Sequence, residues 1–237
     1  TYCNYWMHND FLNMKDEKMS KSLGNIITGR SFMDKWHPEI LKFLMLSSHY
    51  RAILNMSDEK IHYSISGLAR VYSALRDAKL IKDQVGTEGK VNKKFQELLA
   101  SMDKKIETAM NDDFNTVEVI AFLFEVVRSF NSLSLEKKLK DVNSGATADY
   151  FICWIKSYGS LMAIYQNDPS VFLEELDNIL LRDKGMTRVE VDKVVHEREA
   201  ARTQKDFKKS DELRDLLLAK GIIVFDNLAG RSWEVKK

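Results

Sequence analysis

Asp58-Glu-Lys-Ile61-His-Tyr-Ser-Ile65-Ser-Gly-Leu68-Ala-Arg-Val-Tyr72-Ser-Ala-Leu75 repeats its large apolar residues at intervals of three and four. That is the period of one helix face, over a length no ordinary strand reaches. The spacing predicts a helix from Asp58 to near Lys82, stopped by the linker Gly86-Thr-Glu-Gly89. Further along, Lys90 to Met110 reads as a second amphipathic helix. Thr116 to Leu133 reads as a third, with Val117, Ile120, Phe124 and Val127 on one stripe, Thr147 to Ile164 as a fourth, and Pro169 begins a fifth. Short connections between such segments predict an antiparallel helical bundle.

Upstream of Asp58 the pattern changes. Aromatic and β-branched residues from Thr1 to Met14, with a turn at Asn9-Asp10, suggest one or two short strands, and the polar stretch Lys15 to Asn25 reads as a loop. Thr28 can cap a short helix through Trp36, and Pro38 sits where its missing N–H costs nothing, at the start of a helix over Glu39 to Ser47. Ile40, Leu41, Leu44 and Met45 would form its buried face. Beyond Gly185 the chain is highly charged, with Val191, Val194 and Val195 as a thin apolar stripe. A helix from Lys208 to Lys220 should stop at Gly221, and Ile222 to Phe225 and Ser232 to Val235 flank Asn227 to Gly230 as a small hairpin. Boundaries near Ser57 and Gly185 divide the chain into residues 1–56, 57–184 and 185–237.

Composition supports a mainly α fold. The 237 residues include 10 Gly and 2 Pro, too few turn formers for an all-β sandwich or barrel. Apolar residues make up 44% and charged ones 30%, so a real core can form. With 36 Lys and Arg against 35 Asp and Glu, the chain has neither a polybasic arm nor an acidic tail. Its most apolar run, Val119 to Val127, already contains Glu125 and is too short to span a bilayer. Cys3 and Cys153 are far apart and join no Cys/His cluster, which argues against a disulfide framework or a zinc site within this chain and makes a reducing cytosol the expected compartment. Cys153, between Ile152 and Trp154, reads as a buried thiol, and His8, His37, His49, His62 and His196 read as ordinary histidines.

Chemistry concentrates in Lys18-Met-Ser20-Lys21-Ser22-Leu-Gly24-Asn25. Two ammonium groups three residues apart, with hydroxyls and unhindered amides beside them, suit the phosphates of a nucleotide. The pentapeptide resembles the second ATP-binding signature (KMSKS) of class I aminoacyl-tRNA synthetases, and its place after a short strand and before a helix matches too. Within that class the chain resembles the cysteinyl-tRNA synthetase family. The resemblance is carried by Tyr5 to Leu12, Glu17 to Asn25, His37-Pro-Glu39, Ser48-His-Tyr-Arg51 with Leu54-Asn55, Met110-Asn-Asp-Asp-Phe-Asn-Thr116, and Lys220-Gly-Ile-Ile-Val-Phe-Asp226 with Trp233.

That resemblance implies ATP-dependent ligation of cysteine to tRNA(Cys) through cysteinyl-adenylate, with Mg accompanying ATP. Lys21 is the expected catalytic contact to the phosphates, and Lys18, Met19, Ser20 and Ser22 complete the ATP-binding loop. The family's first ATP signature, of His-Ile-Gly-His type, and its zinc site lie N-terminal to the lysine loop and are not in these residues. The chain is therefore expected to be the C-terminal half of a longer enzyme, inactive alone, cytoplasmic and monomeric. Its last part is expected to be a small α+β piece that recognises the anticodon through Arg202, Phe207, Asp211, Asp226 and Trp233. Phe207 stands where many relatives carry Trp; its ring can still stack but has no indole N–H. If one helix runs through Arg198, Arg202, Lys205 and Lys209, their charges line one face. Arg51 either touches the inner bend of the tRNA or is a salt-bridged scaffold residue. Two alternatives stay open: a non-catalytic RNA-binding helical module, and a related ligase that passes activated cysteine to a small amine.

Overall fold

A computed structural model describes residues 2–14, 17–20, 24, 26–135, 141–225 and 233–237. It divides into two compact units, Thr1–Phe172 and Leu173–Lys237.

The first unit opens with a small sheet. Strand β1 (Leu12–Met14) pairs antiparallel with β2 (Glu17–Lys18) and parallel with β3 (Leu54–Met56), in the order β2-β1-β3. The polar reading of Lys15 to Asn25 therefore needs correcting at Glu17–Lys18, where two charged residues form an edge strand, the position that tolerates them. β3 escapes the sequence because three residues carry no periodicity. Helix α1 (Gly29–Lys35) follows Thr28, whose hydroxyl accepts the Ser31 N–H at 3.1 Å. Helix α2 (Pro38–Leu46) buries Ile40, Phe43 and Leu44, whereas Met45, expected in its core face, is exposed.

Four long helices form the bundle: α3 (Asp58–Val85), α4 (Lys93–Asn111), α5 (Thr116–Leu135) and α6 (Val142–Met162). Ile61, Ile65, Leu68, Tyr72 and Leu75 are all buried, as their spacing predicts. α6 starts at Val142, five residues before the expected Thr147, because Asp141 caps it by accepting the Ser144 N–H at 2.9 Å. On α5 the core face is Val119, Ile120, Leu123, Val126, Val127 and Phe130, and Val117 is exposed. A helix apolar on most sides leaves the choice of face to its neighbours. Pair contacts fix the directions. Phe95 of α4 lies near Phe130 of α5, and Lys105 lies over Phe122. Lys82, near the end of α3, donates to Asp149, near the start of α6. Asn92 at the start of α4 donates to Thr147 near the start of α6, and Asp103 further along α4 accepts from Trp154 further along α6, so these two run parallel and α3 to α6 alternate up and down. Gly145 lets α6 begin against the end of α3, where a Cβ would come within 1.7 Å of the Gly86 carbonyl oxygen.

Helix α7 (Pro169–Asp183) carries the chain into the second unit, where α8 (Arg188–Thr203) and α9 (Phe207–Ala219) precede a hairpin of β4 (Ile222–Val224) and β5 (Trp233–Val235). Thr187 and Glu190 form a reciprocal cap at the start of α8. Gly221 follows α9 with φ of +75°, which favours glycine. Val191, Val195, Leu217, Ile222, Trp233 and Val235 are buried together with Asp177 and Arg198. Cys153, expected inside, is exposed on α6, while its neighbour Trp154 is buried. No helix among the described residues is long and apolar enough to cross a membrane.

Candidate functional site

The lysine-loop segment leaves the edge of the sheet. Lys18 stands opposite Asn13 in the β1–β2 ladder, and the Met19 N–H donates to the Leu12 carbonyl at 3.3 Å. Backbone hydrogen bonds thus fix the entry to the segment at the strand end. Lys21 and Ser22 lie outside the described residues; Ser20 is half-buried. Gly24 follows with φ of +64° and open space around its Cα. Next to the sheet, Met14, Ile27, Phe32, Trp36, Met56 and Ile61 line most of a cleft of about 160 Å³.

A second node joins two stretches distant in sequence. Tyr50 donates its hydroxyl proton to Asp113 Oδ1 at 2.5 Å. The Arg51 guanidinium lies 2.8 Å from Asp113 Oδ2 through Nε and 3.3 Å from Oδ1 through Nη2, and it also donates to the Tyr50 hydroxyl oxygen at 2.9 Å. The Tyr50 hydrogen bond, aided by the Arg51 charge, holds the Asp113 carboxyl below its ordinary range, and the Arg51 pKa is raised in turn. Asp113 and Phe114 both have φ of +56°, a strained conformation for Phe in particular. Arg51 is thus salt-bridged, while its side chain stays largely exposed.

A third node is buried. Glu39 accepts from the Tyr72 hydroxyl at 2.9 and 3.0 Å, from the Tyr165 N–H at 2.7 Å and from Asn167 Nδ2 at 2.8 Å. Burial raises its pKa against the pull of these donors.

In the second unit the candidate RNA-reading residues fall into two groups. Arg202, in the last turn of α8, and Phe207, the first residue of α9, are exposed on either side of the turn Gln204-Lys205-Asp206, and Asp211 lies one helical turn beyond Phe207. Trp233 is instead packed inside. Its Nε1 donates to Asp192 Oδ1 at 2.7 Å, and the Arg188 guanidinium lies 4.7 Å from the ring centre. A ring so enclosed cannot stack on a base in this arrangement. Asp226 lies outside the described residues. The single basic helix face from Arg198 to Lys209 does not form, because α8 ends at Thr203, Lys205 turns the chain with φ of +61°, and Arg198 is buried.

Comparison with known proteins matches two stretches of the first unit. The family of class I tRNA synthetase (C) catalytic domains matches residues 1–66, and the DALR domain family matches residues 105–165. A cysteine–tRNA ligase of Bdellovibrio bacteriovorus is 41% identical over 237 residues, covering 100% of this chain and 48% of the relative. This chain is homologous to the cysteine–tRNA ligases. Others agree: that of Geobacter metallireducens is 37% identical, covering 99% of this chain and 49% of the relative, and that of Geobacter sulfurreducens is 32% identical, covering 99% and 48%. The chain spans about half the length of the curated relatives it matches. Within the ligase-like framework, Lys18 to Ser22 and Arg51 fall in the catalytic-domain match and Asp113 in the DALR match, so the Arg51–Asp113 pair ties the two matched stretches together. Arg202 to Trp233 lie beyond both matches but within the similarity to whole ligases.

Sequence reasoning missed Glu39, Asp113, Asp177 and Asp192 as organising residues. Asp177 had a readable signal, a carboxylate on the same helical face as Leu173, Leu176, Leu180 and Leu181. Among the described residues no group of three or more His, Cys, Asp or Glu side chains is arranged to hold a metal ion.

Proposed function

We propose that this chain supplies the lysine-loop end of the catalytic domain and the tRNA-binding part of a cysteine–tRNA ligase. The similarity to such ligases along the whole chain carries this reading. It divides the labour among residues 1–56, which act on ATP, the bundle at 57–184, and residues 185–237, which read the anticodon of tRNA(Cys). ATP with Mg and cysteine are the substrates of the whole enzyme, which acts as a monomer in the cytoplasm.

In adenylate formation, negative charge shifts onto the departing pyrophosphate. The Lys21 ammonium stabilises that state more than the ground state, and Lys18, Met19, Ser20 and Ser22 shape the loop that brings it there. Entry to the loop from a hydrogen-bonded strand end supports such a role, because a fixed root limits where a closing loop can go. At the other end Arg202, Phe207, Asp211 and Asp226 are suited to unstacked bases: the ring stacks, the carboxylates accept from guanine or cytosine edges, and the guanidinium supplies the opposite polarity. Trp233 supports them from within by holding the hairpin.

The two half-reactions separate these roles, and the test uses a ligase joining this sequence to the upstream half its relatives have. Lys21→Ala is expected to slow cysteine-dependent pyrophosphate exchange at least tenfold, about 1.4 kcal/mol of barrier. Arg202→Ala and Asp226→Asn are expected to leave exchange intact and lower kcat/KM for tRNA about tenfold or more. An unchanged exchange rate in the Lys21 variant, or equal losses in both half-reactions for the Arg202 and Asp226 variants, would remove the corresponding assignment.

A further inference from the structure

Asp177 occupies a place where a leucine would be expected. It has no exposed surface and shares its face of α7 with Leu173, Leu176, Leu180 and Leu181. Enclosing a carboxylate there is costly, and an apolar side chain of similar volume would fill the stripe without that cost. The carboxylate meets β5 instead. Asp177 Oδ1 accepts the Val235 N–H at 3.2 Å and the Lys237 ammonium at 2.7 Å, and the Lys237 side chain is itself nearly buried. From α8, Asp192 accepts the Trp233 indole N–H at 2.7 Å.

β4 and β5 have three residues each, too few to hold a register by themselves. The ladder places Ile222 opposite Val235 and Val224 opposite Trp233. A slip of one residue would turn Trp233 and Val235 away from the core, so the apolar pattern already forbids it. A slip of two keeps the same faces inside, and the apolar pattern opposes it only through the one charged residue, Arg231 or Lys237, that it would bring to a core position. It would, however, carry the Val235 N–H and Lys237 away from Asp177 and leave a buried carboxylate without them.

We infer that Asp177 is a positioning residue for the RNA-reading end, its buried carboxylate fixing the register in which β5 pairs with β4. Residues 226–232, with Asp226 among them, are joined to the two strands so aligned. The consequence for RNA rests on the function proposed above; the register itself does not.

The test uses the full chain with two readouts. Hydrogen exchange followed by mass spectrometry compares residues 221–237 with α8. Fluorescence anisotropy compares affinity for tRNA(Cys) with that for the same tRNA carrying a changed anticodon. The double variant Asp177→Leu, Lys237→Met removes both charges without leaving either alone. It is expected to speed exchange in the hairpin at least tenfold with α8 unchanged, and to reduce the affinity ratio of the two tRNAs at least fivefold. Asp177→Asn combined with Lys237→Met keeps an acceptor for the Val235 N–H without leaving the ammonium behind, and should restore most of the protection. Wild-type exchange in the hairpin of the double variant would overturn the inference. So would equal loss of protection in α8, which would make Asp177 a general stabiliser of the unit. Should the wild-type chain bind both tRNAs equally, the anticodon reading falls and the exchange result alone decides the register.

Discussion

The bundle of α3 to α6 and the unit that follows Phe172 are both largely helical, yet different forces hold them. In the bundle the core is mainly aromatic and aliphatic: Phe130 and Phe151 stack at 4.2 Å with planes 3° apart and Phe95 packs near both, with Asp103 accepting from Trp154 and Tyr158 at its margin. In the second unit a thin apolar stripe is completed by polar groups that each find a named partner, Asp177 with Val235 and Lys237, Asp192 with Trp233. Apolar packing is non-directional and tolerates small adjustments, whereas a buried hydrogen bond is lost within an ångström. The bundle therefore rests mainly on apolar burial, and the hairpin of the second unit on placed polar contacts.

The largest effect that could break this contrast is in the bundle. Phe130→Ala removes a fully buried ring from the stack and is expected to cost about 3–5 kcal/mol, read as a lower urea midpoint by far-UV circular dichroism. A loss below about 1 kcal/mol would mean that the aromatic stack is not what holds the bundle. In the second unit Trp233→Phe keeps an aromatic ring and removes the indole donor to Asp192. The expected cost is about 1.5–3 kcal/mol, the range for a hydrogen bond to a charged acceptor, with tryptophan replaced by a smaller ring as a further small loss. A neutral outcome would show that this unit also relies on apolar burial alone.

The same contrast explains what could be read from the sequence. Helix period located the bundle because burial alone decides it: Ile61, Ile65, Leu68, Tyr72 and Leu75 are all inside. On α5, where apolar residues surround the helix, the period puts Val117 on the same stripe as the buried Ile120 and Val127, yet Val117 is exposed. The period also failed from Arg198 to Lys209, where basic spacing suggested a continuous face but the chain turns at Lys205. The candidate residues of the lysine segment and Arg202, Phe207 and Asp211 come from motif and resemblance. Asp113, Asp177 and Asp192 do not, because their roles depend on partners 41 to 63 residues away, which no local pattern encodes.

Glu39 offers the finest test, because it brings the second unit's way of building into the first. Burial raises its carboxyl above the ordinary 4.5, opposed by the Tyr165 N–H, the Tyr72 hydroxyl, His37 and Asn167. The folded chain therefore holds this proton more tightly than the unfolded chain does. Between pH 4.5 and the raised folded value, the unfolded state has released a proton that the native state keeps. The stabilisation from this group is thus complete below the unfolded pKa and is lost as pH rises through the folded one. One such group can tilt stability by at most about 1.4 kcal/mol per pH unit. Glu39→Gln has the same length and cannot ionise, so its stability relative to wild type should climb across that window and level off above it. Urea midpoints of both proteins between pH 4 and 8 measure this difference directly, with the other carboxylates cancelling. Parallel profiles would show that the three donors around Glu39 balance its burial, and that this polar anchor on α2 is as well satisfied as those that hold the hairpin.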